Sequence, residues 1–129
     1  MDCASLLMRD AASEPSPEAH ATVYPARVGR PLRITYLITD LKIGGVPLHL
    51  YRLVTRLPAD QVRARVVSLA GEGPVGTMLR RAGVPVLGCG AARVTDIAAL
   101  GRLWAILRHD PPDILHALLF HANTAARVI

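Results

Sequence analysis

The sequence predicts an α/β domain in which a parallel β-sheet is flanked by helices. From residue 32 onward, short runs of β-branched and aromatic residues alternate with longer stretches whose apolar residues recur at helical spacing. Glycines and prolines stand at most of the boundaries between these runs. This alternation is typical of parallel sheets, because their strands are joined by right-handed helical crossovers.

The predicted strands cover residues 33–39, 62–69, 84–89 and 113–117. The first is rich in β-branched and aromatic residues and ends at a turn-prone segment, residues 40–45. Pro85 is the second residue of the third run, and proline has no N–H to donate to a ladder. We therefore expect this strand to lie at an edge of the sheet, or to begin near Pro85.

The helices are predicted from their ends as much as from their periodicity. The first follows a glycine pair, has Pro47 in its first turn and stops at Pro58, and the second covers residues 75–82 before Gly83. Asp96 is the predicted N-cap of the third helix, and residues 123–129 begin another. One apolar stripe of the third helix comprises Ile97, Leu100, Leu103, Trp104 and Leu107.

Length and composition favour one small globular domain. The hydrophobic fraction of 51% is enough to form a core. The length of 129 residues is too short for a two-domain enzyme. Residues 1–31 lack an apolar period and are interpreted as a flexible leader, and residues 32–129 as the domain. No signal peptide or membrane-spanning run is indicated, and two scattered cysteines favour a reducing, cytoplasmic location.

The charge balance favours anionic partners. Fifteen Lys and Arg residues against ten Asp and Glu give a formal charge of +5 with neutral His. The basic residues are scattered and only 4% of residues are aromatic, so the sequence offers little for base stacking and we expect no nucleic-acid binding. Peripheral contact with an anionic membrane surface, such as the inner face of the cell membrane, stays open.

Gly44 and Gly45 are the first candidate binding residues. They lie between the first strand and its helix, where a backbone without Cβ atoms lets a phosphate or sugar approach the helix amides. The spacing matches neither a dinucleotide-binding fingerprint nor a P-loop. A tight turn without a ligand is the alternative interpretation.

His116, His121 and Asn123 are the second candidate set. They follow or end the fourth strand, which brings two imidazoles and an amide near the edge where the glycine pair lies. The alternatives are that His116 is a core residue and that Asn123 caps the last helix. No metal is expected, because two histidines five residues apart do not share a helical face. Cys89 is interpreted as a small buried hydrophobe.

From residue 33 to residue 129 the chain resembles the N-terminal domain of family-4 glycosyltransferases. Residues 34–46 (ITYLITDLKIGGV) look like the first strand and glycine loop of that family, and residues 48–53 (LHLYRL) like the helix that follows. Residues 79–86 (LRRAGVPV) are similar to its helix end before the third strand. Residues 112–127 (PDILHALLFHANTAAR) are similar to its fourth strand and next helix.

The resemblance implies a retaining enzyme of GT-B fold, of which this chain is the N-terminal half, a partial Rossmann-like parallel sheet. The N-terminal domain would bind a glycan, lipid-linked or small-molecule acceptor, and a C-terminal domain the nucleotide-sugar, a co-substrate used without a bound metal or other cofactor. Gly44 and Gly45 would lie beside the donor phosphates. His116, His121 and Asn123 would line the acceptor side.

Two departures limit what the resemblance implies. Many family members have a histidine two residues after the position of His116, where this chain has Leu118, so no catalytic residue is assigned. The sequence also stops at Ile129, without the C-terminal donor-binding domain, so we expect the chain alone to be inactive. A non-catalytic interaction module and a gene remnant are the alternative interpretations.

Overall fold

Residues 29–93, 95–119 and 124–127 are described by the computed structural model of the protein. Within them the chain alternates strand and helix, as the sequence predicts. The elements are β1 Leu32–Ile38, α1 Gly45–Val54, β2 Val62–Ser68, α2 Gly73–Arg81, β3 Val86–Gly88, α3 Ile97–His109 and β4 Ile114–Leu118. Residues 124–127 are helical, in agreement with the last predicted helix. Nearly all of the predicted leader, residues 1–28, lies outside the described residues.

The described strands form one parallel sheet in the order β3-β2-β1-β4. The expectation of an α/β sheet flanked by helices is confirmed. β1 is central and pairs with β2 on one side and β4 on the other, so that Ile38 aligns with Ser68 and with Leu118. β3 lies at an edge and begins directly after Pro85, which confirms the position expected for that proline.

Alternate residues of the sheet divide the core into two layers. Tyr36 and Ile38 of β1 face α1 and α2, whose buried side chains include Leu50 and Leu79. Leu37 faces the opposite way. The second layer consists of Leu37, Val67, Leu69, Cys89, Ala99, Leu103 and Ala125. The interpretation of Cys89 as a buried hydrophobe is confirmed, and burial raises the pKa of its thiol, partly opposed by the nearby Arg102 charge.

The apolar stripe predicted for α3 is only partly correct. Leu103 is fully buried against the sheet, and Leu100 and Leu107 pack at its margin. Ile97 and Trp104, in contrast, point outward and are 82% and 47% exposed. The difference arises because Ala99 and Leu103 form the contact with the sheet, and a helix residue two positions before Ala99 lies on the opposite side.

A partly buried arginine holds the end of α3 to the amino-terminal half of the sheet. The side chain of Arg65 on β2 is only 14% exposed. Its Nε donates to Thr35 Oγ1 at 2.8 Å, and its two terminal nitrogens donate to Asp110 Oδ2 at 2.9 Å and to the Asp110 carbonyl at 2.6 Å. Arg33 pairs with the other carboxylate oxygen. Burial, followed by the Arg33 charge, lowers the pKa of Arg65.

Replacing Asp110 with asparagine should therefore destabilise the protein. The change leaves Arg33 and Arg65 side by side without their shared counter-charge, and we expect the free energy of unfolding to fall by about 2 kcal/mol. The loss stays below that of a fully buried pair because half of the Asp110 side chain, 51%, is exposed. Asp60→Asn, on the exposed loop after α1, is the matched control. Equal urea midpoints for the two variants would contradict this role of Asp110.

Candidate functional site

The carboxyl ends of the parallel strands meet at one edge of the sheet, where α/β proteins bind their ligands. Backbone hydrogen bonds tie the loops after three strands together at this edge. The Ala70 N–H donates to the Thr39 carbonyl at 2.9 Å, and the Gly90 N–H donates to the Ala70 carbonyl at 3.1 Å. The segments that follow β1, β2 and β3 therefore form one continuous rim.

The glycine pair lies on this rim at the beginning of α1. Gly44 is the N-cap residue in an extended conformation, and Gly45 is the first helical residue. No side chain of the described residues caps the helix, and its first turn has no acidic residue. The helix therefore begins with free amide groups and a partial positive charge.

The fold itself does not require glycine at these two positions. Gly44 has a φ of −175°, and a Cβ there would meet only Pro47 Cδ, at an ordinary 3.7 Å. A Cβ on Gly45 would meet nothing within 4 Å. The missing side chains therefore leave open space beside the helix amides. Both interpretations of the pair, a binding site and a tight turn without a ligand, are compatible with this geometry.

The loop that carries the glycine pair is held in place by the start of α2. Leu41 is fully buried, and its carbonyl accepts a hydrogen bond from the Val75 N–H at 3.0 Å. Gly73 packs so closely on this carbonyl that a Cβ would lie 2.5 Å from the oxygen, and its φ is +37°. Here glycine is required, since the two backbones touch.

A small pocket of about 170 Å³ opens on the same edge, between the rim and the beginning of α3. Its lining includes Thr39, Ala70, Ala91, Arg93, Asp96 and Leu100. The hydroxyl of Thr39 is buried and has no hydrogen-bond partner among the described residues. This hydroxyl is a hydrogen-bonding group that the described residues leave unsatisfied.

Asp96 shapes this pocket by capping α3, as the sequence predicts. Its Oδ1 accepts from the Ala99 N–H at 3.2 Å, and its Oδ2 accepts from the Ala92 N–H at 3.3 Å. These backbone donors, that of Ala99 foremost, lower the pKa of the carboxyl group. By bonding both sides of the turn, Asp96 fixes the segment that places Arg93 at the pocket.

His116 lies deeper along β4 than the strand end. It aligns with Tyr36, and the two ring centroids are 5.4 Å apart at an interplanar angle of 37°. His116 is exposed, so the alternative that it is a core residue is wrong. Tyr36 beneath it is buried, which raises the pKa of its hydroxyl. At the strand end itself, Leu118 packs against the core layer of α1 and α2.

The remaining two candidates, His121 and Asn123, lie outside the described residues. Their placement beside His116 stays a prediction. Sequence reasoning missed the pocket, because Thr39, Ala70 and Arg93 meet only when three loops come together. The signal available was Asp96, since an N-cap that follows a strand must lie near the carboxyl edge of a parallel sheet.

A larger hollow, of about 700 Å³, lies at the opposite edge beside the amino ends of the strands. Its lining includes Arg33, Arg65 and Asp110, which are bonded to one another, and Arg30, which pairs with Asp113 at 2.7 Å. Its size exceeds that of the rim pocket, but these charged groups are engaged in holding the fold together. The carboxyl edge is therefore the better candidate site.

Comparison with known proteins identifies a family for this chain. A family model described as a glycosyl transferase 4-like domain matches residues 44–129, a stretch that begins at the glycine pair. No curated protein and no solved structure matches the chain. None of the described helices is long and apolar enough to cross a membrane.

Gly73→Ala should destabilise the protein and loosen the glycine loop. The added Cβ would clash with the Leu41 carbonyl, and the positive φ disfavours any L side chain, so we expect a loss of at least about 2 kcal/mol in unfolding free energy. Gly101→Ala is the control. It lies in the middle of α3 with open space around it and should gain up to about 1 kcal/mol. A Gly73→Ala variant as stable as wild type would refute the close contact.

The capping role of Asp96 should appear in the dependence of stability on pH. Because its folded-state pKa lies below the ordinary value of 3.8, its ionised form contributes stability at neutral pH. That contribution is lost as the pH falls from the ordinary value through the lowered one.

The melting temperature of Asp96→Asn should therefore lie below that of wild type at pH 7, and the gap should narrow as the pH falls below about 4. Asp60→Asn is again the control and should follow the wild-type profile. A gap that is independent of pH would show that the charge of Asp96 does not matter.

Proposed function

The chain belongs to the glycosyl transferase 4-like family, and from this membership we propose that it forms the acceptor-side domain of a sugar transferase. The enzyme would move a sugar from a nucleotide-sugar to an acceptor, with retention of configuration, in the cleft of a GT-B arrangement. A second domain would hold most of the donor. The observation that carries the proposal is the uncapped, unobstructed start of α1 at Gly44 and Gly45.

Sugar transfer from a nucleotide-sugar needs stabilisation of the leaving group. The bond between the anomeric carbon and the diphosphate breaks as the acceptor hydroxyl oxygen bonds to that carbon. Negative charge grows on the departing diphosphate, which takes up the hydroxyl proton. Backbone amides at a helix start are fixed donors for such a charge and need no reorganisation during the reaction. Gly44 and Gly45 leave this helix start accessible, which supports their proposed place beside the donor phosphates.

The acceptor would lie along the same rim. Thr39 offers a buried hydroxyl without a partner, and Arg93 offers a positive charge at the small pocket. His116, His121 and Asn123 are proposed to complete the acceptor side. An arginine at the pocket favours an acceptor that carries a phosphate group, whether it is a small molecule or lipid-linked. Because Leu118 is apolar, no residue of β4 at the strand end is proposed to act in catalysis.

Binding of the donor is tested by titrating the isotopically labelled chain with UDP-, GDP- and ADP-sugars. The amide resonances of Gly44 and Gly45 should shift with at least one of them, at millimolar affinity, since only one side of the donor site is present. Gly45→Gln should weaken this binding at least tenfold, because its side chain would fill the space beside the amides. Gly101→Gln, in equally open space on α3, should change it less than twofold.

Transfer is tested by joining the chain to the donor-binding domain of a family member. We expect sugar transfer with one donor of the panel, reduced at least tenfold by Gly45→Gln and less than twofold by Gly101→Gln. If the joined protein binds a donor and transfers nothing to any acceptor offered, the proposed function is wrong. Amide shifts that avoid the glycine pair would refute its role in binding.

A further inference from the structure

The hollow beside the amino ends of the strands carries more positive than negative charge. Its basic lining residues are Arg30, Arg33, Arg63 and Arg65. Asp110 is the acidic residue of the described lining, and Asp113, which pairs with Arg30, adds a second carboxylate at the border. The arginines therefore outnumber the carboxylates bonded to them. We call this space the amino-edge hollow.

Arg63 is the arginine of the hollow that has no counter-charge. Within the described residues its side chain makes no hydrogen bond and no ion pair, whereas the other three arginines each pair with a carboxylate. Arg63 is also exposed, near the start of β2. Its guanidinium donors are thus available to a ligand.

The register of the sheet places Arg63 beside further positive charge. Arg63 aligns with Arg33 of β1, on strands about 5 Å apart, and Arg65 lies two residues along on the same face. Like charges in such positions repel each other. The charge of Arg33 also contributes, after burial, to lowering the pKa of Arg65. Asp110 is the one carboxylate bonded to this group, so a bound anion would offset repulsion that remains.

The size and the walls of the amino-edge hollow suit a small ligand. Its volume of about 700 Å³ is within the range of clefts that hold one small molecule. Its apolar walls include Pro31, Pro85, Leu87 and Pro112. Apolar walls strengthen the field of the charges between them. None of the described lining residues is aromatic, so a nucleic-acid strand would find nothing on which to stack its bases.

We propose that the amino-edge hollow binds a soluble small molecule that carries two or more linked phosphate groups. One phosphate contacts Arg63 and the next contacts Arg33, because guanidinium groups match phosphate oxygens in pairs. The ligand joins β2 to β1 and stabilises the folded chain. This proposal is independent of the sugar-transfer proposal, since no residue of the carboxyl edge takes part.

Binding is tested by titrating the isotopically labelled full chain with inorganic pyrophosphate and, separately, with inorganic phosphate. The amide resonances of residues 32–35 and 62–65 should shift with pyrophosphate. Its affinity should exceed that of phosphate at least fivefold, because only pyrophosphate reaches two arginines at once. Pyrophosphate should also raise the melting temperature, and added salt should weaken both effects.

The role of Arg63 is tested by Arg63→Gln, which should weaken pyrophosphate binding at least fivefold. Since Arg63 has no described partner to lose and repels Arg33, the variant without ligand should melt at or above the wild-type temperature. A residue that merely held the fold together would lower it. Arg81→Gln is the control, because it removes the same charge from an exposed position of α2, on the other face of the sheet. It should change binding less than 1.5-fold.

A charge reversal makes the test sharper. Arg63→Glu places a carboxylate opposite Arg33 and so supplies from within the chain the negative charge that the ligand would bring. This variant should melt above wild type without ligand, and pyrophosphate should no longer raise its melting temperature. Arg81→Glu should show neither effect.

Four outcomes would overturn the proposal. Pyrophosphate leaves residues 62–65 unshifted, or Arg63→Gln and Arg81→Gln lose binding equally. Binding that appears only after Asp10, Glu14 and Glu18 are replaced by their amides would assign the hollow to that acidic segment of the chain. Sedimentation with anionic lipid vesicles that requires Arg63 would assign it to a lipid surface. None of these measurements uses a sugar donor, so this proposal and the transfer proposal fail or stand separately.

Discussion

The burial of β1 on both faces and its pairing along both edges is the constraint on which the rest of the structure depends. Tyr36 and Ile38 fill the layer under α1 and α2, and Leu37 fills the layer under α3. The flanking strands take their register from β1, which aligns Ser68 of β2 and Leu118 of β4 with Ile38. Since all strands run the same way, their carboxyl ends are brought to one edge, and the candidate site exists because of this alignment.

The two ends of the sheet are built on different principles. At the amino end, the partly buried Arg65 donates hydrogen bonds to Thr35 and Asp110. These bonds hold the strands and the end of α3 together. At the carboxyl end, backbone groups and small residues surround the space, and the polar atoms there, the start of α1 and the hydroxyl of Thr39, have spare capacity. The carboxyl end thus offers a ligand backbone donors at a helix start, whereas three of the charged groups at the amino end, Arg33, Arg65 and Asp110, are bonded to one another.

Much of the fold could be predicted because the responsible signals are local. The β-branched run of β1, the N-cap Asp96 and Pro85 before an edge strand each act within a few residues of the chain. The orientation of α3 could not be predicted in full, because the helix is apolar on more than one side and periodicity alone does not say which side meets the sheet. Periodicity places Ile97 and Trp104 in one stripe with Leu103, but Ala99 takes the buried position beside Leu103.

The candidate site also has one part that local sequence signals predict and one part that they do not. The glycine pair was predictable from its place between a strand and a helix, whereas the pocket around Thr39 and Arg93 depends on contacts between three loops. The exposure of His116 likewise depends on how the helices cover the sheet around β4, the last strand in the described order. A site built from a helix start and small residues can bind a phosphate by backbone alone, and backbone groups do not discriminate between sugars or acceptors. Discrimination must then come from the few side chains at the rim, among which Arg93 and Asp96 are the charged ones that line the pocket.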